Sequence, residues 1–173
     1  GNLDEGEPYG VPGTYLNSFY ELRPLPYAEA GFGYPESGRT IVSVTNGKII
    51  RLLVDDEPFD VRYGQLLEHE RVLDLRAGVL RRQVEWASPA GTHVRIRSTR
   101  LVSFAQRTIA AILYEVEPVD APLRVVAQSE LVANEPAPPQ SADPRAAAAL
   151  EAPLQSEEFS HHGARVVLVH TTK

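Results

Sequence analysis

Apolar and polar positions alternate with a period of two along most of the chain, and no stretch sustains the 3.6-residue period of a long amphipathic helix. Residues 40–44 and 49–54 flank Asn46-Gly47, the dipeptide best suited to the positive φ angles of a tight turn, so the pattern predicts a hairpin there. Asp55-Asp56-Glu57-Pro58 supplies a second turn before Phe59 and Val61 resume an extended run. From residue 72 the pattern predicts a meander of strands at 72–76, 79–86, 93–102, 108–117 and 123–132. Ala77-Gly78, Ser88-Pro89-Ala90-Gly91, Pro118 and Pro122 fall in the breaks, where turn formers belong. On the second of these strands Leu80, Arg82, Val84 and Trp86 share one face, while Arg81, Gln83 and Glu85 lie on the other. Val94, Ile96 and Val102 are expected as the matching inner row.

Residues 133–158 break the alternation with a Pro- and Ala-rich excursion, in which Asp143-Pro144 reads as an N-cap followed by Pro at the first helical position. A short helix over 145–151 is expected, followed by a final strand at 164–171. The reading is all-β: one large antiparallel β-sandwich over residues 1–173, with one short helix in a long loop.

Composition narrows the function. A net charge of −6 and a pI near 5.4 argue against sequence-independent binding to nucleic acid, which needs clustered Lys and Arg. No run approaches the roughly 18 apolar residues of a membrane helix, so no membrane partner is expected. Cys is absent, which removes disulfides and thiolate metal sites and favours a reducing cytoplasm. With no initiator Met, the chain reads as a segment cut from a longer protein.

Chemistry-bearing residues are few. Adjacent acids on an extended chain point apart, so Asp4, Glu5 and Glu7 do not form a catalytic pair. His69, His93, His161, His162 and His170 lack metal-ligand spacing, and no nucleophile elbow or phosphate loop occurs, so no catalytic residue, metal or cofactor is assigned. Arg81, Arg82, Arg95, Arg97, Arg100 and Arg107 form the conspicuous basic group. Antiparallel pairing would place Arg81, Arg95 and Arg97 beside Glu85 as cross-strand ion pairs. Tyr15, Phe19, Tyr20, Tyr27, Phe32 and Tyr34 crowd the first 34 residues, and suit either a core or an interface.

An ordered series of motifs resembles one family. Gly1-Asn2-Leu3-Asp4-Glu5, Gly13-Thr14-Tyr15-Leu16-Asn17-Ser18-Phe19-Tyr20-Glu21, Tyr27-Ala28-Glu29, Gly33-Tyr34-Pro35, Val54-Asp55-Asp56-Glu57-Pro58-Phe59, residues 71–82 and Arg100-Leu101-Val102-Ser103 together resemble the N-terminal domain of glycoside hydrolase family 65. That family includes the maltose, trehalose and kojibiose phosphorylases and related α-glucoside hydrolases. Ser18 departs from the pattern, because many members carry Gly there.

The resemblance implies a super-sandwich similar to galactose mutarotase. It also implies an (α/α)6 barrel in the same polypeptide, beyond residue 173, which carries the catalytic glutamate and binds phosphate. The parent reaction would be inverting phosphorolysis or hydrolysis of an α-linked glucosyl disaccharide by an enzyme that is a homodimer. This chain then supports the barrel and is inactive alone. Its expected pocket or domain-interface loop comprises Asn2, Asp4, Glu5, Tyr15, Phe19 and Tyr20. The alternative is an autonomous carbohydrate-binding module; a mutarotase-like enzyme lacks a recognisable acid and base pair.

Overall fold

Trp86, the single Trp of the chain, is completely buried and organises the part of the fold around it. The computed structural model describes residues 13–24, 32–33, 37–135 and 152–172. The strands are β1 (Tyr15–Pro24), β2 (Ser37–Ser43), β3 (Asn46–Val54), β4 (Glu57–Pro58), β5 (Gln65–Asp74), β6 (Val79–Ala87), β7 (His93–Val102), β8 (Ala110–Pro118), β9 (Val125–Val132), β10 (Leu154–His162) and β11 (Arg165–Thr172). Among the described residues there is no helix, hence none long and apolar enough to cross a membrane. The expected helix at 145–151 lies outside them. The fold is all-β, and the pairs β1–β2, β3–β4, β5–β6, β6–β7, β7–β8 and β10–β11 are antiparallel.

The chain divides into two compact units, Gly1–Gly10 with Lys48–Glu130, and Val11–Gly47 with Leu131–Lys173. In the first unit the meander forms a sheet of order β5-β6-β7-β8, while the sheet of order β4-β3-β9 takes the next strand. The fifth strand of the expected meander therefore leaves the first four. Pro118 closes β8 at the sheet edge, where the missing N–H removes no ladder bond. The core joins Leu52 and Val54 of β3 to Val84 and Trp86 of β6 and Val94 and Ile96 of β7. Phe59 packs edge-on against Trp86, with ring centroids 5.3 Å apart. The inner row matches expectation except at Val102, which is 68% exposed, because the apolar side chains of β3 cover only the Trp86 end of the sheet.

The predicted hairpin at Asn46-Gly47 does not form. β2 pairs with β1, and β3 pairs with β4, so the two runs flanking the dipeptide belong to different sheets. Asn46 is instead the first residue of β3, buried, and its Nδ2 donates to Glu135 Oε1 at 2.9 Å. Local turn propensity yields here to a buried side-chain hydrogen bond. The Asp55-Asp56 turn does form between β3 and β4, with Asp55 at φ 54°. Its carboxylate accepts from Arg124 N at 3.0 Å and Thr92 Oγ1 at 3.4 Å.

In the second unit β1 pairs with β2 and β10 with β11. β10 begins at Leu154, inside the stretch expected as an excursion. Asn134 acts as a substitute strand partner there: its Nδ2 donates to Leu154 O at 2.8 Å and its Oδ1 accepts from Leu154 N at 3.0 Å. The register of β1 shifts between Tyr15 and Tyr20, and within that bulge Ser18 sits at φ 67°. A Gly at this place would suit that left-handed backbone, since a β-carbon there costs about 1–2 kcal/mol.

Two stability predictions follow from the backbone. Gly64 has φ +74°, and a β-carbon on it would meet Ala87 O at 2.4 Å and Trp86 Nε1 at 2.9 Å. Gly91 has a similar φ of +88° but open space around it. Gly64→Ala is expected to cost about 3 kcal/mol and Gly91→Ala about 1 kcal/mol, read by chemical denaturation with Trp86 fluorescence as reporter. Ser18→Gly is expected to stabilise by about 0.5–1 kcal/mol, the relieved strain less the added chain entropy, measured as a rise in Tm.

Candidate functional site

Of the residues expected to form an interface loop, Asn2, Asp4 and Glu5 lie outside the described residues, as do Tyr27 and Tyr34. Tyr15, Phe19 and Tyr20 all lie on β1. They do not share one face. The Tyr15 ring folds back on Gly13, so closely that a β-carbon there would meet its hydroxyl at 2.5 Å. Phe19 is half-buried, while Tyr20 on the opposite face of the strand is 50% exposed.

The register sets Tyr20 opposite Ile41 and Leu22 opposite Arg39. Tyr20, Leu22 and Ile41 therefore form an exposed apolar row on the β1–β2 ribbon, while Thr40 and Val42 turn to its other face. Leu22 and Ile41 were not singled out from sequence. Recognising them requires the pairing of β1 with β2, which the sequence pattern assigned elsewhere.

The arginines separate by face. On the outer face of the β5–β8 sheet, Glu85 stands opposite Arg95, and Arg95 opposite Glu117. Arg95 Nη2 lies 2.8 Å from Glu85 Oε2 and Arg97 Nη2 lies 3.0 Å from Glu117 Oε2. Arg81 Nη1 reaches Asp74 Oδ2 at 3.2 Å. Cross-strand ion pairs are present as expected, but only Arg95 pairs with Glu85; Arg97 pairs with Glu117 and Arg81 with Asp74. His93 joins this network through Glu85 at 3.0 Å and Asp120 at 3.3 Å.

The inner face continues past the core through Leu80, Arg82, Ser98 and Arg100, with Arg71 and His69 on β5. Arg82 Nε donates to His69 Nε2 at 3.2 Å, and the guanidinium lies over the Phe59 ring at 5.9 Å. Arg71 was missed from sequence, because β5 was expected only from residue 72. A register shift between Leu66 and Glu68 breaks the alternation that would have revealed the earlier part of that strand.

The other histidines are dispersed. His161 and His162 are exposed at the end of β10, and His170 Nδ1 lies 3.4 Å from Thr45 Oγ1. Among the described residues no group of three or more His, Cys, Asp or Glu side chains is placed to hold a metal ion.

The outer network has a pH signature. The hydrogen bond from Arg95 is the largest cause holding the Glu85 carboxyl below its ordinary value near 4.5; desolvation opposes it as the next largest effect, and the Arg95 charge and the neighbouring His93 add smaller lowering contributions. The Arg95 guanidinium is raised in turn, chiefly by the Glu85 hydrogen bond. A depressed carboxyl stabilises the fold above its unfolded pKa, and that contribution is lost as pH falls through the folded value. Glu85→Gln is therefore expected to flatten the acid-side fall in Tm between about pH 3 and 5, while leaving its shape above pH ~6 unchanged. Differential scanning calorimetry across that range checks it.

Comparison with known proteins places this geometry in a family. The glycosyl hydrolase family 65, N-terminal domain, matches residues 1–173. An uncharacterized glycosyl hydrolase of Mycobacterium tuberculosis (strain ATCC 25618 / H37Rv) is 64% identical over 173 residues, covering 100% of this chain and 22% of that protein. An alpha,alpha-trehalose phosphorylase of Thermoanaerobacter brockii is 42% identical over 108 residues, covering 62% of this chain and 14% of that protein. A solved structure, a putative kojibiose phosphorylase from human microbiome, superposes with a TM-score of 0.75 at 21% identity, over 92% of this chain and 20% of that one. The chain thus spans 22% of the length of its mycobacterial relatives. It belongs to the glycosyl hydrolase family 65, as an N-terminal domain of that family.

Proposed function

We propose that this chain is the non-catalytic N-terminal domain of an enzyme that cleaves α-linked glucosyl disaccharides, by inverting phosphorolysis or hydrolysis. It supports an (α/α)6 barrel in the same polypeptide and helps shape that barrel's sugar pocket or the contact of a homodimer. The observation that carries this reading is the exposed apolar row Tyr20, Leu22 and Ile41 on a two-stranded ribbon, in a chain that spans 22% of its relatives' length. A row of this kind, with an aromatic residue and aliphatic neighbours, suits burial against a partner surface. The names of its relatives, trehalose, kojibiose and maltose phosphorylases, supply the substrate class. Asn2, Asp4 and Glu5 belong to the same interface loop on this reading, and the barrel supplies the acid that protonates the leaving oxygen. A chain without Cys accords with a cytoplasmic enzyme.

The reading divides the labour in physical terms. A rigid scaffold gives precision to the loops it carries, so a supporting domain acts on kcat/KM by holding a loop rather than by touching the reacting bond. In the full-length enzyme Tyr20→Ser with Leu22→Ser is expected to lower kcat/KM for disaccharide about tenfold or more and to lower Tm, with phosphate present or absent as the acceptor requires. Unchanged kinetics and Tm would remove the support from this reading.

The half-exposed Tyr15 and Tyr20 favour one second reading, an autonomous carbohydrate-binding module, since such rings stack on pyranose faces. Titration with maltose, trehalose and longer α-glucans separates the two. Saturable binding that survives without the barrel favours the module; a supporting domain is expected to give none.

A further inference from the structure

Away from Trp86 the β5–β8 sheet ends in two turns, residues 75–78 between β5 and β6 and residues 103–109 between β7 and β8. Both turns are closed by hydrogen bonds. Asp74 Oδ1 accepts from Arg76 N at 3.1 Å and Ala77 N at 2.9 Å, and Gly78 N donates to Asp74 O at 2.8 Å. In the other turn Ser103 Oγ accepts from Gln106 N at 2.9 Å, while Ile109 N donates to Gln106 O at 2.9 Å and Ser103 N to Ile109 O at 3.0 Å. Each turn nevertheless presents a large apolar side chain to solvent: Leu75 is 83% exposed and Phe104 87%. The turns lie side by side, since a β-carbon on Gly78 would meet Phe104 Cε2 at 3.4 Å. Leu73 and Val102, also exposed, extend this apolar surface onto the inner face of β5 and β7.

Charge at this end runs against that of the chain. The net charge is −6, yet residues 72–82 and 99–113 carry Arg76, Arg81, Arg82, Arg100 and Arg107 against the single acid Asp74. Asp74 is already engaged with Arg81 and with the backbone of its own turn. The Nε of Arg100 is buried with no hydrogen-bond partner among the described residues. Contiguous exposed apolar surface marks an interaction site, and aromatic and Arg side chains are the types enriched in interfaces. A surface held out by closed turns also loses little conformational freedom when it is covered.

We propose that this end of the sheet docks on the polypeptide beyond residue 173, against an apolar surface rimmed by carboxylates. Leu75 and Phe104 are the apolar anchors, and Arg76, Arg100 and Arg107 select the acidic rim, because guanidinium forks match carboxylates bidentately. A carboxylate reaching the Arg100 Nε satisfies a buried donor whose isolation is costly. The 173 residues shared with the mycobacterial relatives are 22% of those proteins, so the remainder is the larger source of covering surface. A second copy docking through the same face would set these arginines against their own counterparts, with one acid to offset them. An anionic bilayer suits apolar tips beside arginines, but it repels a chain of net charge −6, and mobile headgroups are poor partners for a buried donor. This docking rests on the reading of the chain as one domain of a longer enzyme, and it adds a contact of the first unit to the Tyr20 row of the second.

The test places the photoreactive residue p-benzoylphenylalanine in the full-length protein, at Leu75 or at Phe104, with exposed Ala90 at the opposite end of the sheet as the control site. On irradiation, positions 75 and 104 are expected to cross-link within one polypeptide to peptides beyond residue 173, and position 90 to give little product. Yields no higher than at position 90 overturn the proposal. So do cross-links chiefly to a second polypeptide, or chiefly to lipid when vesicles of phosphatidylserine and phosphatidylcholine are present. Arg76→Glu with Arg107→Glu is expected to lower the position-104 yield about tenfold, since repulsion then replaces attraction at the rim. Both arginines are exposed, so Trp86 fluorescence is expected to stay unchanged and to show that the sheet is intact. An undiminished yield in that variant overturns the carboxylate rim. Cross-links beyond residue 173 with unchanged kinetics of Tyr20→Ser, Leu22→Ser uphold this docking and overturn only the role given to the Tyr20 row; impaired kinetics without cross-links do the reverse.

Discussion

Burial of Trp86 between the two sheets of the first unit sets the terms for everything around it. Its ring is fully enclosed, its Nε1–H donates to Tyr63 O at 2.7 Å, and Phe59 meets it edge-on. Deleting such a side chain typically costs about 3–5 kcal/mol, a large share of the stability of an ordinary domain. Because strand side chains alternate, facing Trp86 inward commits the rest of β6: Leu80, Arg82 and Val84 must face in, and Arg81, Gln83 and Glu85 must face out. The antiparallel register then carries the choice to β5, β7 and β8. One aromatic residue thus decides where the charges of four strands point.

The outer face bears that choice easily. Arg81, Arg95 and Arg97 find Asp74, Glu85 and Glu117 across neighbouring strands, and these pairs are partly exposed, so each contributes little and costs little. The inner face is harder. Val94 and Ile96 serve the core, but the same row runs on through Ser98 and Arg100, past the cover that Leu52 and Val54 provide. A slip of one residue would turn those cations out and Trp86 with them. The sheet keeps the aromatic anchor, with Arg82 set between His69 and the Phe59 ring.

Much of this was legible in the sequence, and the failures have specific causes. The alternation in Val79–Ala87 and His93–Val102 is regular, and the strands and the core-facing Val84, Trp86, Val94 and Ile96 could be read directly. The ion pairs of Arg95 and Arg97 followed from the same alternation. Arg71 escaped notice because a bulge at the start of β5 disrupts the period on which such a reading relies. The Asn46-Gly47 hairpin failed for a different reason: turn propensity is local, whereas the partner of β2 is β1, a strand whose aromatic content masked its extended character. The exposed row of Tyr20, Leu22 and Ile41 depends on that long-range pairing, so it could not emerge from either segment alone.

Ser18 connects the sequence pattern to the backbone most directly. The structure holds it at φ 67° in the bulge that separates Tyr15 from Tyr20. A glycine at this position would relieve that backbone strain. The bulge also has a consequence for the ribbon. By inserting extra residues on one strand, it re-aims the side chains that follow, turning Phe19 toward the ribbon's covered face and Tyr20 outward. Strain of about 1–2 kcal/mol at one residue is small beside the apolar surface thereby presented, since burying a side chain such as Leu22 against a partner is worth about 1.5–3 kcal/mol. That gain is realised only where a partner surface covers the row, and this is the condition that the proposed supporting role would supply.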